Sequence, residues 1–85
     1  MKLVLGSRFE IDLKKLIKKA PAYKTKIRKS MILMMNDINH PSLRLHKLVG
    51  KNNFSVSVDM KMRIILHIEK DTVFLLRVGN HTEVY

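Results

Sequence analysis

The chain has 85 residues, no cysteine and a formal net charge of +10, from 17 Lys and Arg against 7 Asp and Glu. That length fits one domain, residues 1–85. The lack of cysteine excludes disulfides and thiolate metal sites, and no apolar run approaches the ~18 residues of a membrane span. Hydrophobic residues make up 46% of the chain, enough for a packed core. The charge calls for a negative partner (RNA, DNA, lipid headgroups or an acidic protein) met quickly and in a salt-dependent way.

Lys2 to Leu5 reads as a first strand. The apolar stretch breaks at Gly6-Ser7-Arg8, too early for a signal-peptide core, so a cytoplasmic location is expected. Ser7 and Glu10 have the spacing of a capping box, which opens a first helix. Phe9, Leu13, Leu16, Ile17 and Ala20 then recur at helical spacing, and Lys14, Lys15, Lys18 and Lys19 face outward. Pro21 divides this helix from a second and suits the latter's first turn. The second helix shows Tyr23, Ile27, Met31, Met34, Met35 and Ile38 on one stripe, and Asn39-His40-Pro41 closes it.

From Leu43 the period changes to two. Leu43 and Leu45 alternate with Arg44 and His46, and Gly50 to Asn53 reads as a turn. Phe54, Val56 and Val58 alternate with serines, and Met62, Ile64, Leu66 and Ile68 form the next run. Thr72 to Val78 is apolar on both faces, as suits a central strand, and Gly79-Asn80 bends the chain after it. The expected architecture is α+β: a leading strand, an antiparallel two-helix hairpin, then a three- to four-stranded antiparallel sheet. The hairpin covers the face of Phe54, Val56, Val58, Ile64, Leu66 and Ile68. Parity leaves Ser55, Ser57, Arg63 and His67 on the other face.

The candidates for chemistry lie on or near that open face. His81 carries an imidazole, a group suited to giving or taking a proton at working pH, and follows the Gly-Asn bend, where it can reach a groove. Arg63 offers a planar fork for two phosphate oxygens. Tyr85 can stack on a base or orient a hydroxyl. Lys47, Lys51, Arg77, Ser55 and Ser57 are candidates for contact with RNA. His67 reads as a structural histidine and His40 as a loop residue. No metal or cofactor is expected, because the histidines lack short ligand spacing.

Four segments in order resemble the RelE/ParE toxin superfamily, and within it the YafQ-like ribonucleases. They are Phe9 to Leu16, His46 to Gly50, Ser55 to Val58 with Arg63 to Leu66, and Leu75 to Tyr85. The last contains Gly79, His81 and Tyr85 as Gly-x-His-x-x-x-Tyr, the most specific piece. The resemblance implies the RelE-like fold and the toxin of a type II toxin–antitoxin system, held by an acidic antitoxin in a hetero-oligomer. It implies a metal-independent endoribonuclease, an mRNA interferase acting in the ribosomal A site, with His81 as the general acid and His46 as a weaker candidate for the general base. The alternative in the same superfamily is a ParE-type DNA gyrase inhibitor without nuclease activity. The chain departs from the YafQ-like pattern near Ser57 and Val58, where a further histidine is expected, and at Met62, where an acid is expected.

Overall fold

The computed structural model describes residues 1–84. Strand β1 (Lys2–Leu5) leads into helices α1 (Ser7–Lys19) and α2 (Tyr23–Asn36), followed by a 3-10 turn (Pro41–Leu43). Strands β2 (His46–Lys47), β3 (Asn53–Ser57), β4 (Met62–Glu69) and β5 (Thr72–Asn80) follow, then a short helix α3 (His81–Val84). The sheet has five strands in the order β1-β5-β4-β3-β2. Strands β2 to β5 pair antiparallel, as expected, but β1 lies parallel to β5 at one edge. The expected antiparallel sheet of three or four strands is therefore a mixed sheet of five.

One face of this sheet and the two helices enclose the core. Phe9 from α1, with Ile27 and Met34 from α2, meets Val56, Ile64, Leu66, Val73 and Leu75, and all are nearly or fully buried. Parity on β3 and β4 places these residues as the sequence predicted. On α2 the buried line runs through Ile27, Ser30 and Met34, whereas Met35 is 45% exposed. Ser30 fits in the interior because its hydroxyl donates to the Lys26 carbonyl at 3.2 Å.

Several local expectations are corrected. Ser7 does not cap α1. Gly6 is the N-cap, and its N–H donates to the Leu75 carbonyl at 2.9 Å. Strand pairing thus sets where the helix starts, and a Cβ on Gly6 would lie 2.9 Å from that same carbonyl oxygen. Tyr23 opens α2, so Pro21 stands in the turn before it. The helix stops at Asn36, three residues before the predicted Asn39, where the Asp37 N–H closes the last turn onto Leu33. Leu43 is buried within the 3-10 turn rather than in a strand, and Arg44 leaves that turn at φ 47°. Gly79 and Asn80 do not bend the chain but complete β5.

Two carboxylates tie the layers together. Asp59, between β3 and β4, accepts from the Tyr23 hydroxyl at 2.6 Å, Lys26 Nζ at 3.1 Å and the Lys61 and Met62 N–H groups at 2.9 and 2.8 Å. Asp12, on α1, accepts from Arg77 Nε at 2.7 Å and from the Val78 N–H at 3.1 Å. Strand β1 pairs with β5 only as far as Leu75. Beyond it, Asp12 receives an amide that would otherwise face an open sheet edge. Among the described residues no helix is long and apolar enough to cross a membrane.

Candidate active site

The sheet face turned away from α1 and α2 holds a cleft of about 410 Å³ lined by His46, Leu48, Arg63 and His81. Each residue arrives there for a backbone reason. His46 pairs with Ser55 across the β2–β3 ladder. Ser55 is fully buried and accepts from Arg63 Nε and Nη2 at 3.4 and 3.3 Å. Arg63 pairs with Gly79 across β4–β5. Two residues beyond Gly79, α3 begins with His81. Glycine opposite Arg63 leaves the guanidinium beside a position that has no side chain, with His81 close along the chain.

The arrangement places two exposed imidazoles around one half-buried guanidinium. An imidazole can give or take a proton near neutral pH. A guanidinium aimed at a phosphate can hold two of its oxygens and offset negative charge as it builds. The buried Ser55 oxygen fixes the guanidinium from behind, so little rotamer freedom is left to lose on binding an anion. Leu48 forms an apolar wall, which the sequence reading did not include. Its only sequence signal is a lone leucine after the basic pair His46-Lys47.

The other candidates are dispersed. Ser57 donates its hydroxyl to the Asp59 carbonyl at 2.8 Å and so belongs to the β3–β4 turn. Lys47 and Lys51 are exposed on β2 and in the turn after it, outside the cleft lining. Arg77 is held against Asp12 on the α1 side of β5 and does not line the cleft. The β4–β5 register slips by one residue between Ile65 and Leu66, leaving Leu76 as the extra residue on β5. That slip puts Val78, not Arg77, into the core opposite Ile64. Tyr85 lies outside the described residues.

Two further histidines have local duties, as the sequence reading held. His67 Nδ1 lies 3.0 Å from Asn53 Oδ1, and its ring sits 6.1 Å from that of Phe74. His40 Nδ1 accepts from the Ser42 N–H at 3.1 Å, capping the 3-10 turn. Among the described residues no three His, Cys, Asp or Glu side chains gather as a metal-ligand group.

Asp12 and Asp59 are the perturbed carboxyls. Partial burial alone would raise Asp12, but the Arg77 hydrogen bond, the Val78 N–H and the charges of Arg77 and Arg8 outweigh it and lower it. Burial likewise opposes ionisation of Asp59, yet Tyr23, the turn amides and Lys26 hold it far below the usual carboxylate range. The hydrogen bond to that carboxylate, aided by burial and its negative charge, pushes the Tyr23 phenol up to about 12. Both carboxylates stand outside the cleft lining and hold the frame around it.

No protein-family model and no curated relative matches the chain by sequence. Solved structures do match. A chain of the E. coli DinJ-YafQ complex superposes with a TM-score of 0.86 at 18% identity, covering 99% of this chain and 97% of that one. A metal-bound toxin from Helicobacter pylori gives 0.84 at 22% identity, over 100% of this chain and 99% of that one. A YoeB/ParE toxin from Agrobacterium tumefaciens gives 0.80 at 14% identity, over 95% and 99%. At such identities the likeness speaks for the backbone. The chain has the α+β fold of the RelE/YafQ-like toxins, over its whole length, as the resemblance implied.

Proposed function

We propose that this chain is the toxin of a type II toxin–antitoxin pair and an endoribonuclease that cuts mRNA in the ribosomal A site. The carrying observation is the convergence of His46, Arg63 and His81 on one cleft of the open sheet face. The net charge of +10 supplies long-range attraction to RNA, and the shared toxin fold supports the biological role. The E. coli complex joins YafQ to DinJ. By analogy, an acidic antitoxin is the natural inhibitor of so basic a chain, in a cytoplasmic hetero-oligomer. On this reading residues 1–85 form a single toxin domain.

The chemistry follows from what the three side chains can do without a Lewis acid. His46 takes the proton of a ribose 2′-hydroxyl, and the freed oxygen attacks the adjacent phosphorus. Arg63 holds the non-bridging oxygens as negative charge builds on the five-coordinate phosphate. His81 gives a proton to the departing 5′-oxygen. The products are a 2′,3′-cyclic phosphate and a 5′-hydroxyl, so the atoms balance with no co-reactant. Lys47 and Lys51 extend the positive potential toward flanking nucleotides, and stacking on a base is the role proposed for Tyr85.

Primer extension on a reporter mRNA translated in vitro tests this reading. Discrete in-frame cuts are expected from the wild type, with loss of about 10²-fold or more in His81→Ala. Absence of cuts with purified active ribosomes would overturn the ribonuclease reading. If supercoiling by DNA gyrase were then inhibited, the ParE-type alternative would take its place.

A further inference from the structure

A second basic depression lies between α1 and the last third of β5, with a volume of about 370 Å³. Its rim carries Lys15, Lys19, Arg77 and Asn80, and its inner wall is apolar, with Leu16 and Val78 among its residues. Among the described residues its one acid, Asp12, already accepts from Arg77 and Val78 and lies 3.7 Å from Arg8. Lys15 and Lys19 have no acidic partner among the described residues.

Positions 8, 12, 15 and 19 follow one another along a single side of α1, the side turned to β5. Lys15 and Lys19 are four residues apart, about 6 Å along the axis, so two like charges sit one above the other over a shared hollow. Such a like-charged pair weakens the helix that carries it. An anion between the two lysines reverses that repulsion. The hollow has room for one nucleotide unit, and its end at Asn80 is joined directly to His81 of the cleft.

We infer that this α1–β5 groove binds the backbone of the same RNA strand, one or more nucleotides beyond the scissile bond. The strand leaves the cleft at His81, passes Asn80 and lays its phosphates against Lys15 and Lys19. The inference rests on the ribonuclease reading for the identity of the strand. The groove itself is a site for single-stranded nucleic acid.

The test uses 2′-O-methyl oligonucleotides, which cannot be cleaved, so that failure of catalysis does not touch it. Anisotropy is measured with 5′-labelled 3-mers and 12-mers from 50 to 200 mM salt, for wild type, Lys15→Gln/Lys19→Gln and Lys14→Gln/Lys18→Gln. The second double variant makes the same charge change on α1 outside the groove lining. Each single-strand phosphate contact contributes a log–log salt slope of about −0.7. The Lys15/Lys19 variant should therefore lose about 1.4 units of slope on the 12-mer, so its affinity drop across that salt range is about sevenfold smaller. It should bind the 3-mer like wild type, and the Lys14/Lys18 variant should keep most of the slope. Equal slopes for wild type and the Lys15/Lys19 variant, or equal losses in both double variants, would overturn the groove. So would a poly-glutamate 12-mer whose binding depends on Lys15 and Lys19 when that of the oligonucleotide does not. Cleavage by wild type alongside such a failure leaves the ribonuclease standing and removes only this inference.

Discussion

Asp59 offers the sharpest test of how the frame of the cleft is held. Its carboxylate gathers four donors from α2 and from the turn that starts β4, and Arg63 follows that turn directly. A hydrogen bond to a charged group contributes about 1.5–3 kcal/mol. The Asp59 side chain is 25% exposed and Lys26 50%, so solvent screens part of this. The two turn amides regain water once the carboxylate is gone. Asp59→Ala should then cost about 2–3 kcal/mol in total, and Tyr23→Phe, which removes one donor, about 1 kcal/mol. In a domain of this size 1 kcal/mol moves Tm by roughly 4–8 °C, so Asp59→Ala should lower it by about 10–20 °C.

The pH dependence carries the same logic. Asp59 titrates lower in the folded chain than its ordinary value of 3.8. Its contribution is therefore fully present above that value and is lost as pH falls toward the folded one. Tyr23 is raised to about 12 from 10.0, so its share is intact below 10.0 and disappears as pH rises through 12. Urea unfolding of wild type and Asp59→Ala at pH 7, 5 and 3 measures the difference directly. It should be equal at the two higher values and smaller at pH 3. A difference below about 0.5 kcal/mol at pH 7, within the range of ordinary surface changes, would refute the clasp. A difference that grows as pH falls would refute the sign.

Three further outcomes follow from particular contacts. Arg63→Lys keeps the charge but loses the fork and the two-pronged hold of Ser55. Single-turnover cleavage should fall about 10²-fold while uncleavable RNA still binds. Gly6→Ala drives a methyl against the Leu75 carbonyl where β1 hands over to α1, and denaturation should show a loss of about 1–3 kcal/mol. His67→Gln should leave cleavage within about twofold of wild type, because His67 pairs with Asn53 outside the cleft lining. A large loss of activity there would place a proton-transfer step on His67 instead.

Some of this protein was legible before any tertiary contact was known. Period-two alternation from Phe54 to Ile68 needs no long-range information, since a strand places successive side chains on opposite faces. It separated Val56, Ile64 and Leu66, now in the core, from Ser55 and Arg63 on the open face. Helical spacing in the same way brought Phe9 and Ile27 inside. His46, Arg63 and His81 were each marked by residue type and motif, and the fold brought all three to one cleft.

What local pattern does not carry is pairing between distant segments. The parallel seat of β1 beside β5 depends on amides 70 residues apart in register, Lys2 with Thr72. That pairing, not Ser7, decides where α1 starts. The extra residue at Leu76 resets parity within β5, a shift that alternation in a run apolar on both faces cannot reveal. It directs Val78 inward and leaves Arg77 to Asp12. Asp12 and Asp59 had no visible role in the sequence, because their donors lie up to 66 residues away, in Val78, and in the hydroxyl of Tyr23. Local pattern set the types of the long elements, the core side of β3 and β4 and the basic groups at the cleft, for these depend on neighbours within a few residues. Tertiary structure alone decided the strand order, the partners of the two carboxylates and the second basic groove, because those depend on contacts that only a closed chain can make.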